Sequence, residues 1–371
     1  MVGRRSGYEE VELVPPSTDD NETSKLLRRV RWYAGPADVA VSGAGTVEHR
    51  KGASQGAAST LRRRRRPLLL VHRLPASGLQ LRDATRARVI DESASGKTAI
   101  VTSARLSYAD LLSARARRSL ESLAAQRQSA LRSWLQPFRC SQVFATGPSI
   151  ASVGPEHVRM TPGGVLRIAC NSIVSNGDLM DTIRPHVLTF GDPAFHFGDS
   201  EYAEAFRADL LARMAVDNEM WVVVPEEFYP SLHDRFGQFD RMVPCRVGPP
   251  RRFDPARFET RSQLLRTGNI LTSAMLPIAS SVGGSVEIFG CDGRAPTDSG
   301  FWKHSSAAQY DTLYASVVAR HTSFFRDTDY EDYYRTHCMR LDRMISAMEK
   351  RGIAVTARTP SFIPCLALRQ A

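Results

Sequence analysis

Val286-Glu-Ile-Phe-Gly-Cys-Asp-Gly293 is an apolar run that stops on two glycines and a carboxylate. Such a stretch reads as a buried strand whose end turns tightly and holds a polar side chain at the sheet's edge. The same grammar recurs outward from it, in Val143-Phe-Ala-Thr-Gly-Pro-Ser-Ile150, Ile168-Ala-Cys-Asn-Ser172 and Leu188-Thr-Phe-Gly-Asp-Pro193. Leu271-Thr-Ser-Ala274 and Trp302-Lys-His-Ser305 complete the series. None is distinctive alone. Ligands of open α/β sheets bind in the crevice outside the carboxyl ends of the strands, so the series predicts one shared pocket.

Between these motifs, short β-branched or aromatic runs alternate with helical stretches. Strands are expected at Val143–Ala145, Val165–Ala169, Val187–Phe190, Met220–Val224, Met242–Val247, Val286–Phe289 and Ile353–Ala357. Helices are expected at Ser200–Val216, Glu226–Phe236, Ser273–Val282, Ser306–Phe325 and Asp329–Arg351. Strands spaced by helices of this length imply βαβ units and a mostly parallel sheet flanked by helices. Residues 137–371 are therefore expected to form one Rossmann-like α/β domain. Leucines and alanines at three-to-four spacing between 106 and 136 predict an amphipathic helix ended by Pro137.

The chain has 371 residues and a formal charge of +10, and that charge is unevenly placed. Residues 1–136 hold 24 Lys/Arg against 13 Asp/Glu, whereas 137–371 hold 25 against 26. The basic surplus thus belongs to the start of the chain and not to the motif-bearing part. Residues 1–105, rich in Gly, Ser and Ala, read as a basic N-terminal extension that is partly disordered. Arg62–Arg66 reads as a solvated basic linker that could touch an anionic membrane or polymer; no aromatics flank it to stack on bases, so no specific nucleic acid is expected. No run reaches the roughly 20 apolar residues of a membrane span. The dispersed cysteines lack CxxC spacing, which favours reduced thiols in a cytoplasmic protein, with contact at the inner membrane face as the peripheral alternative.

Each motif has a plainer reading beside the functional one. Thr146-Gly147-Pro148-Ser149 offers close backbone approach and exposed donors, or a bare turn. Asn171 could read a ribose or base edge, or cap a helix. Asp192 could accept from sugar hydroxyls, or cap the next segment. Thr272 and Ser273 could present donors to phosphate at a helix N-terminus, or be an ordinary cap. Gly290 and Asp292 end the strongest strand. His304 has the side chain best suited to a general base near neutral pH. His186 and His196 flank Asp192 and could ligate a metal with it, yet no HxxxH or HExxH spacing supports that. Neither GxGxxG nor GxxxxGK[ST] occurs, so standard dinucleotide and P-loop chemistry loses support.

Taken in order, Gly147-Pro148-Ser149, Cys170-Asn171, Thr272-Ser273, Gly290-Cys291-Asp292 and His304 with Tyr310-Asp311 resemble the bacterial sialyltransferases of glycosyltransferase family 42 over roughly 142–325. The resemblance implies a GT-A-like variant of the Rossmann fold and a CMP-linked sialic acid donor. It implies transfer to a glycan acceptor with inversion, no metal and no cofactor, and His304 as the base. Thr146, Gly147, Pro148, Ser149, Asn171, Asp192, Thr272, Ser273, Gly290 and Asp292 would line the nucleotide. Asp192 stands where the family has Asn, and Ile270-Leu271 where it has Arg. The segment 293–303, a short lid, lacks the family's tyrosines, so Arg294, Trp302 and Lys303 are its candidates for the leaving phosphate. Two other readings fit the motifs. One is a pterin diphosphokinase-like enzyme using ATP and Mg²⁺; the other is a degenerate nucleotide-sugar-binding protein without catalysis.

Overall fold

A computed structural model describes residues 114–371 except 160–163, 199, 230–231, 250–252, 299–302, 320–323 and 326–327. Before residue 114 it describes only five short strands, at 11–13, 38–41, 47–50, 69–70 and 89–90. The Arg62–Arg66 run, most of the N-terminal extension, the start of the amphipathic helix and Trp302 lie outside the described residues.

Helix α1 (Ala114–Leu135) leads into a sheet whose strands, in chain order, are β1 (Cys140–Phe144), β2 (Val165–Cys170), β3 (Val187–Thr189), β4 (Trp221–Pro225), β5 (Met242–Cys245), β6 (Ser285–Phe289) and β7 (Ala354–Ala357). All pairings in this sheet are parallel, and the strands lie in the order β5-β4-β3-β2-β1-β6-β7. The chain walks outward from β1 to β5 and then returns to lay β6 on the other side of β1. Val143 of β1 thereby faces Ile168 of β2 on one side and Ile288 of β6 on the other. The β1/β6 seam is the topological switch point, where such folds place ligands.

Six of the strands bury both faces, as a sheet covered by helices requires, while the edge strand β7 leaves Ala354 exposed and Thr356 half-buried. Successive side chains alternate between two cores. Val143, Ile168, Val223, Val243 and Ile288 join Leu131 and Leu135 of α1 in one. Ala274 to Ala279 and Leu341 to Met348 complete that layer. Phe144, Ala169, Leu188, Val222 and Phe289 join Met180, Phe206 and Leu210 in the other. Helices α2 (Gly177–Ile183) and α3 (Glu201–Val216) therefore cover one face. Helices α1, α4 (Leu276–Ser280), with the turns before it, and α6 (Tyr330–Glu349) cover the opposite one. Helix α5 (Tyr314–Val318) lies against α3 beyond the strand ends.

All seven expected strands form, with ends displaced by a few residues. Three helices differ from expectation. The 226–236 helix is reduced to His233–Phe236. The 273–282 helix starts earlier, as a π-helical turn at Leu271–Met275 that passes into α4. Pro277 explains that turn, because it has no N–H to close a regular bond to the residue four before it. The 306–325 helix breaks into 3-10 turns at Ser306–Ala308 and Asp311–Leu313 before α5. There the segment's polar groups are engaged by other elements: Ser172 Oγ donates to the Ala308 carbonyl at 2.5 Å, and the Tyr202 N–H donates to Ser316 Oγ at 3.1 Å. No helix among the described residues is long and apolar enough to cross a membrane.

Candidate functional site

A cavity of about 340 Å³ runs along the carboxyl edge of the sheet. The residues after β1 (Thr146, Gly147), β2 (Asn171), β3 (Gly191, Asp192) and β6 (Gly290, Asp292, Gly293) line it, together with Ser273, Lys303 and His304. The strand-end motifs thus meet in one crevice beside the switch point.

The β1 and β6 ends are joined tightly. Gly147 N donates to the Gly290 carbonyl at 2.8 Å. A Cβ on Gly147 would lie 2.2 Å from Asp292 Oδ2, so only glycine fits. Gly290 has φ +67, and a Cβ there would meet the Ala145 carbonyl at 2.4 Å. Asp292 takes both donors of Ser149: its amide at 3.0 Å and its hydroxyl at 2.7 Å. The carboxylate therefore takes the Ser149 donors that the sequence offered to a nucleotide. Ser149 and Pro148 are accordingly not among the cavity-lining residues.

His304 stands beside the end of β1, its Nδ1 2.8 Å from Thr146 Oγ1. The Thr146 carbonyl accepts from Ser305 N at 2.8 Å, so backbone and side chain of Thr146 both hold this segment. A neutral imidazole keeps a lone pair on one of its two ring nitrogens, on Nε2 where Nδ1–H donates to Thr146. Burial pushes the His304 pKa down to about 4, against the opposing effects of Thr146 and Asp311. The imidazole is neutral at pH 7 and can accept a proton.

Asn171 has φ 51, a left-handed conformation that non-glycine residues adopt rarely and Asn tolerates best. This strained residue at the end of β2 lines the cavity. Asp192 also lines it, but its Oδ1 caps the following turn, accepting from Ala194 N at 2.9 Å and Phe195 N at 3.0 Å. The plainer reading of Asp192 therefore describes that oxygen.

The expected donors before α4 are rearranged. Asn269, not Ser273, is the cap, its Oδ1 accepting from Leu271 N at 2.9 Å. Ser273 lines the cavity, but its amide is already inside the helix, donating to the Asn269 carbonyl at 2.9 Å. Thr272 is fully buried and turns to Thr267 Oγ1 at 2.8 Å. The Ser273 N–H and the Thr272 hydroxyl are thus both spent on the protein itself.

Of the lid candidates, Lys303 lines the cavity and pairs with Asp298 at 3.4 Å. Arg294 turns away, donating to Glu331 at 2.7 Å and to the Asp298 carbonyl at 2.9 Å. The proposed His186–Asp192–His196 set does not assemble: His186 precedes β3 and Asp192 follows it, at opposite ends of the strand. His186 Nδ1 accepts from Arg167 N at 3.0 Å, and its Nε2 lies 3.1 Å from Arg167 Nη2. No group of three or more metal-ligating side chains occurs among the described residues.

Several lining residues had escaped the sequence reading. Arg266 lines the cavity with Glu227, to which it is paired at 3.1 Å. Tyr202 from α3 and Gln309 meet in a short hydrogen bond, and Tyr333 of α6 reaches across to the Gly268 carbonyl. Phe324 stacks edge-on against Tyr333, 5.9 Å between centroids. Tyr310, named from the sequence with His304, is not among the lining residues and donates to Asp209 of α3 at 2.6 Å. Burial, reinforced by Asp209, raises the Tyr310 pKa, so this pair fixes the segment and does not exchange protons near neutrality. No local motif marks Tyr202, Glu227, Arg266, Gln309, Phe324 or Tyr333, which reach the crevice from helices and loops. Asn269 alone had a readable signal, a cap-type residue just before an apolar helical run.

No protein-family model matches the chain, and no curated protein or solved structure matches it either. The parallel sheet with its switch-point crevice defines a Rossmann-like α/β protein.

Proposed function

We propose that this chain is a glycosyltransferase that moves sialic acid, or a related nonulosonic acid, from a CMP-linked donor to a hydroxyl of a glycan acceptor, in a GT-A-like variant of the Rossmann fold. The observation that carries the reading is His304. A neutral imidazole, oriented by Thr146, lines the same crevice as Asn171, Ser273, Gly290 and Asp292. In the reaction, His304 takes the proton of the acceptor hydroxyl as that oxygen bonds to the anomeric carbon. The bond from that carbon to the phosphate oxygen breaks, and CMP leaves with the electron pair. The leaving group is already a good one, so a positioned base and donors suffice and the step calls for no metal. Lys303 is the lining cation nearest in sequence to the base and is the candidate to meet the departing phosphate.

The test joins binding to turnover. CMP without added divalent ion should raise the thermal midpoint, since a ligand that binds only the folded state stabilises it. His304→Ala should keep that rise and lose about 10²–10⁴-fold in transfer from CMP-sialic acid. No rise with CMP, or a rise only with ATP and Mg²⁺, sinks the reading; the latter favours the pterin diphosphokinase-like alternative. A rise with CMP but no transfer by either protein leaves a nucleotide-sugar-binding protein without catalysis.

A further inference from the structure

A second cavity, about 330 Å³, opens at the other end of the sheet, between the end of α1, the turn after α4 and the residues before β7. Arg132, Arg139 and Arg351 line it with a single carboxylate, Glu259. Each guanidinium is tied down by its Nη1. In Arg132 it donates to Ser262 Oγ at 2.7 Å, and in Arg351 to Asp254 at 2.6 Å. In Arg139 it donates to the carbonyls of Gln136 at 2.5 Å and Phe138 at 2.9 Å. The Nε and Nη2 of all three make no hydrogen bond among the described residues.

Capping the carbonyls at the end of α1 explains one nitrogen of Arg139. It does not explain three guanidiniums anchored on one side and unbonded on the other around one hollow. Arg132 and Arg139 have no carboxylate partner among the described residues, so Glu259 leaves positive charge in excess. A guanidinium is an always-charged fork of donors that matches phosphate oxygens. The hollow is also several times larger than a bare phosphate, and its size is that of a small-molecule site.

We infer that this cavity binds a phosphate-bearing small molecule, whose oxyanion is held by Arg132, Arg139 and Arg351. The site lies at the opposite edge of the sheet from His304 and does not depend on the proposed transfer reaction.

Inorganic pyrophosphate is the probe, with the thermal midpoint of the full chain as readout, each protein being compared with its own ligand-free midpoint. Millimolar pyrophosphate should raise the midpoint of the unaltered chain. The Arg132→Gln/Arg139→Gln pair should weaken the apparent affinity at least tenfold, and Glu259→Ala should strengthen it. This opposite sign guards against reading a folding defect as lost binding. Sedimentation with phosphatidylglycerol vesicles, against phosphatidylcholine, separates the sources of phosphate. Failure to sediment supports a free phosphorylated ligand, and sedimentation lost in the arginine variant assigns the same chemistry to a lipid headgroup and overturns the small-molecule assignment. No midpoint rise, or equal rises in the unaltered and arginine-variant chains, overturns the site.

Discussion

Asp292 is the residue on which the crevice turns. Each oxygen of its carboxylate accepts one bond from Ser149, and Gly147 makes room for it. Gly147→Ala drives a methyl into that carboxylate and the Gly290 carbonyl, and should cost about 1–3 kcal/mol in denaturant unfolding. The same substitution should abolish any midpoint rise with CMP. Histidine gives a second prediction at this scale. Burial lowers His196, His304 and, with Arg340 nearby, His337 to about 4, from an ordinary value of 6.5. Between those values the unfolded chain binds protons that the folded chain refuses, so stability falls as pH drops from about 6.5 toward 4. Chemical denaturation across that window should show the loss, with a shallower slope in a His196→Phe chain. Transfer should fall through the same lower limit, because the free protein's base is protonated only near pH 4. A kcat/KM limb near 6.5 would instead mean that His304 is exposed to water in solution.

At the scale of elements, the strands were legible in sequence and the helices around the crevice were not. An apolar run ending in Gly, Asn or Asp needs no distant partner to be recognised, which is why Val143–Ala145 and Val286–Phe289 are close to the strands that form. The 306–325 segment carries helical periodicity, but Ser172 and Tyr202 claim its polar groups from other elements, and no local pattern encodes that competition. Thr-Ser at 272–273 looks like a helix start because both are cap-type residues before an apolar run, yet both lie inside the π-helical turn Leu271–Met275, which Asn269 caps. Asn269→Ala should therefore cost about 1 kcal/mol through the lost cap. Ser273→Ala, whose hydroxyl only returns to the Ile270 carbonyl at 3.4 Å, should leave the unfolding midpoint nearly unchanged. Equal losses in the two variants would show that Ser273, not Asn269, begins the helix.

At the scale of the molecule, the described residues of both cores all follow the start of α1, and every strand of the central sheet lies after residue 139. A chain begun at residue 106 should keep the thermal midpoint and the CMP response of the full chain. A large drop in midpoint would show that the basic extension belongs to the folded unit. The location of the crevice followed from the strand-end motifs; which donors inside it are spent on the protein itself did not, because Asp292–Ser149 and Arg294–Glu331 are contacts between separate elements.

The placement of β6 against β1 also fixes when the crevice can come into being. Gln142 of β1 donates to Glu287 of β6 across a separation of 145 residues, and β7 follows later still. A ribosome delivering the chain from its start exposes β1 long before its second neighbour exists, and pairings so distant along the chain form slowly. During synthesis one edge of β1 waits unpaired beside β2. Premature termination anywhere before residue 285 should yield an aggregation-prone fragment with no ligand response, and not a weakened version of the finished protein.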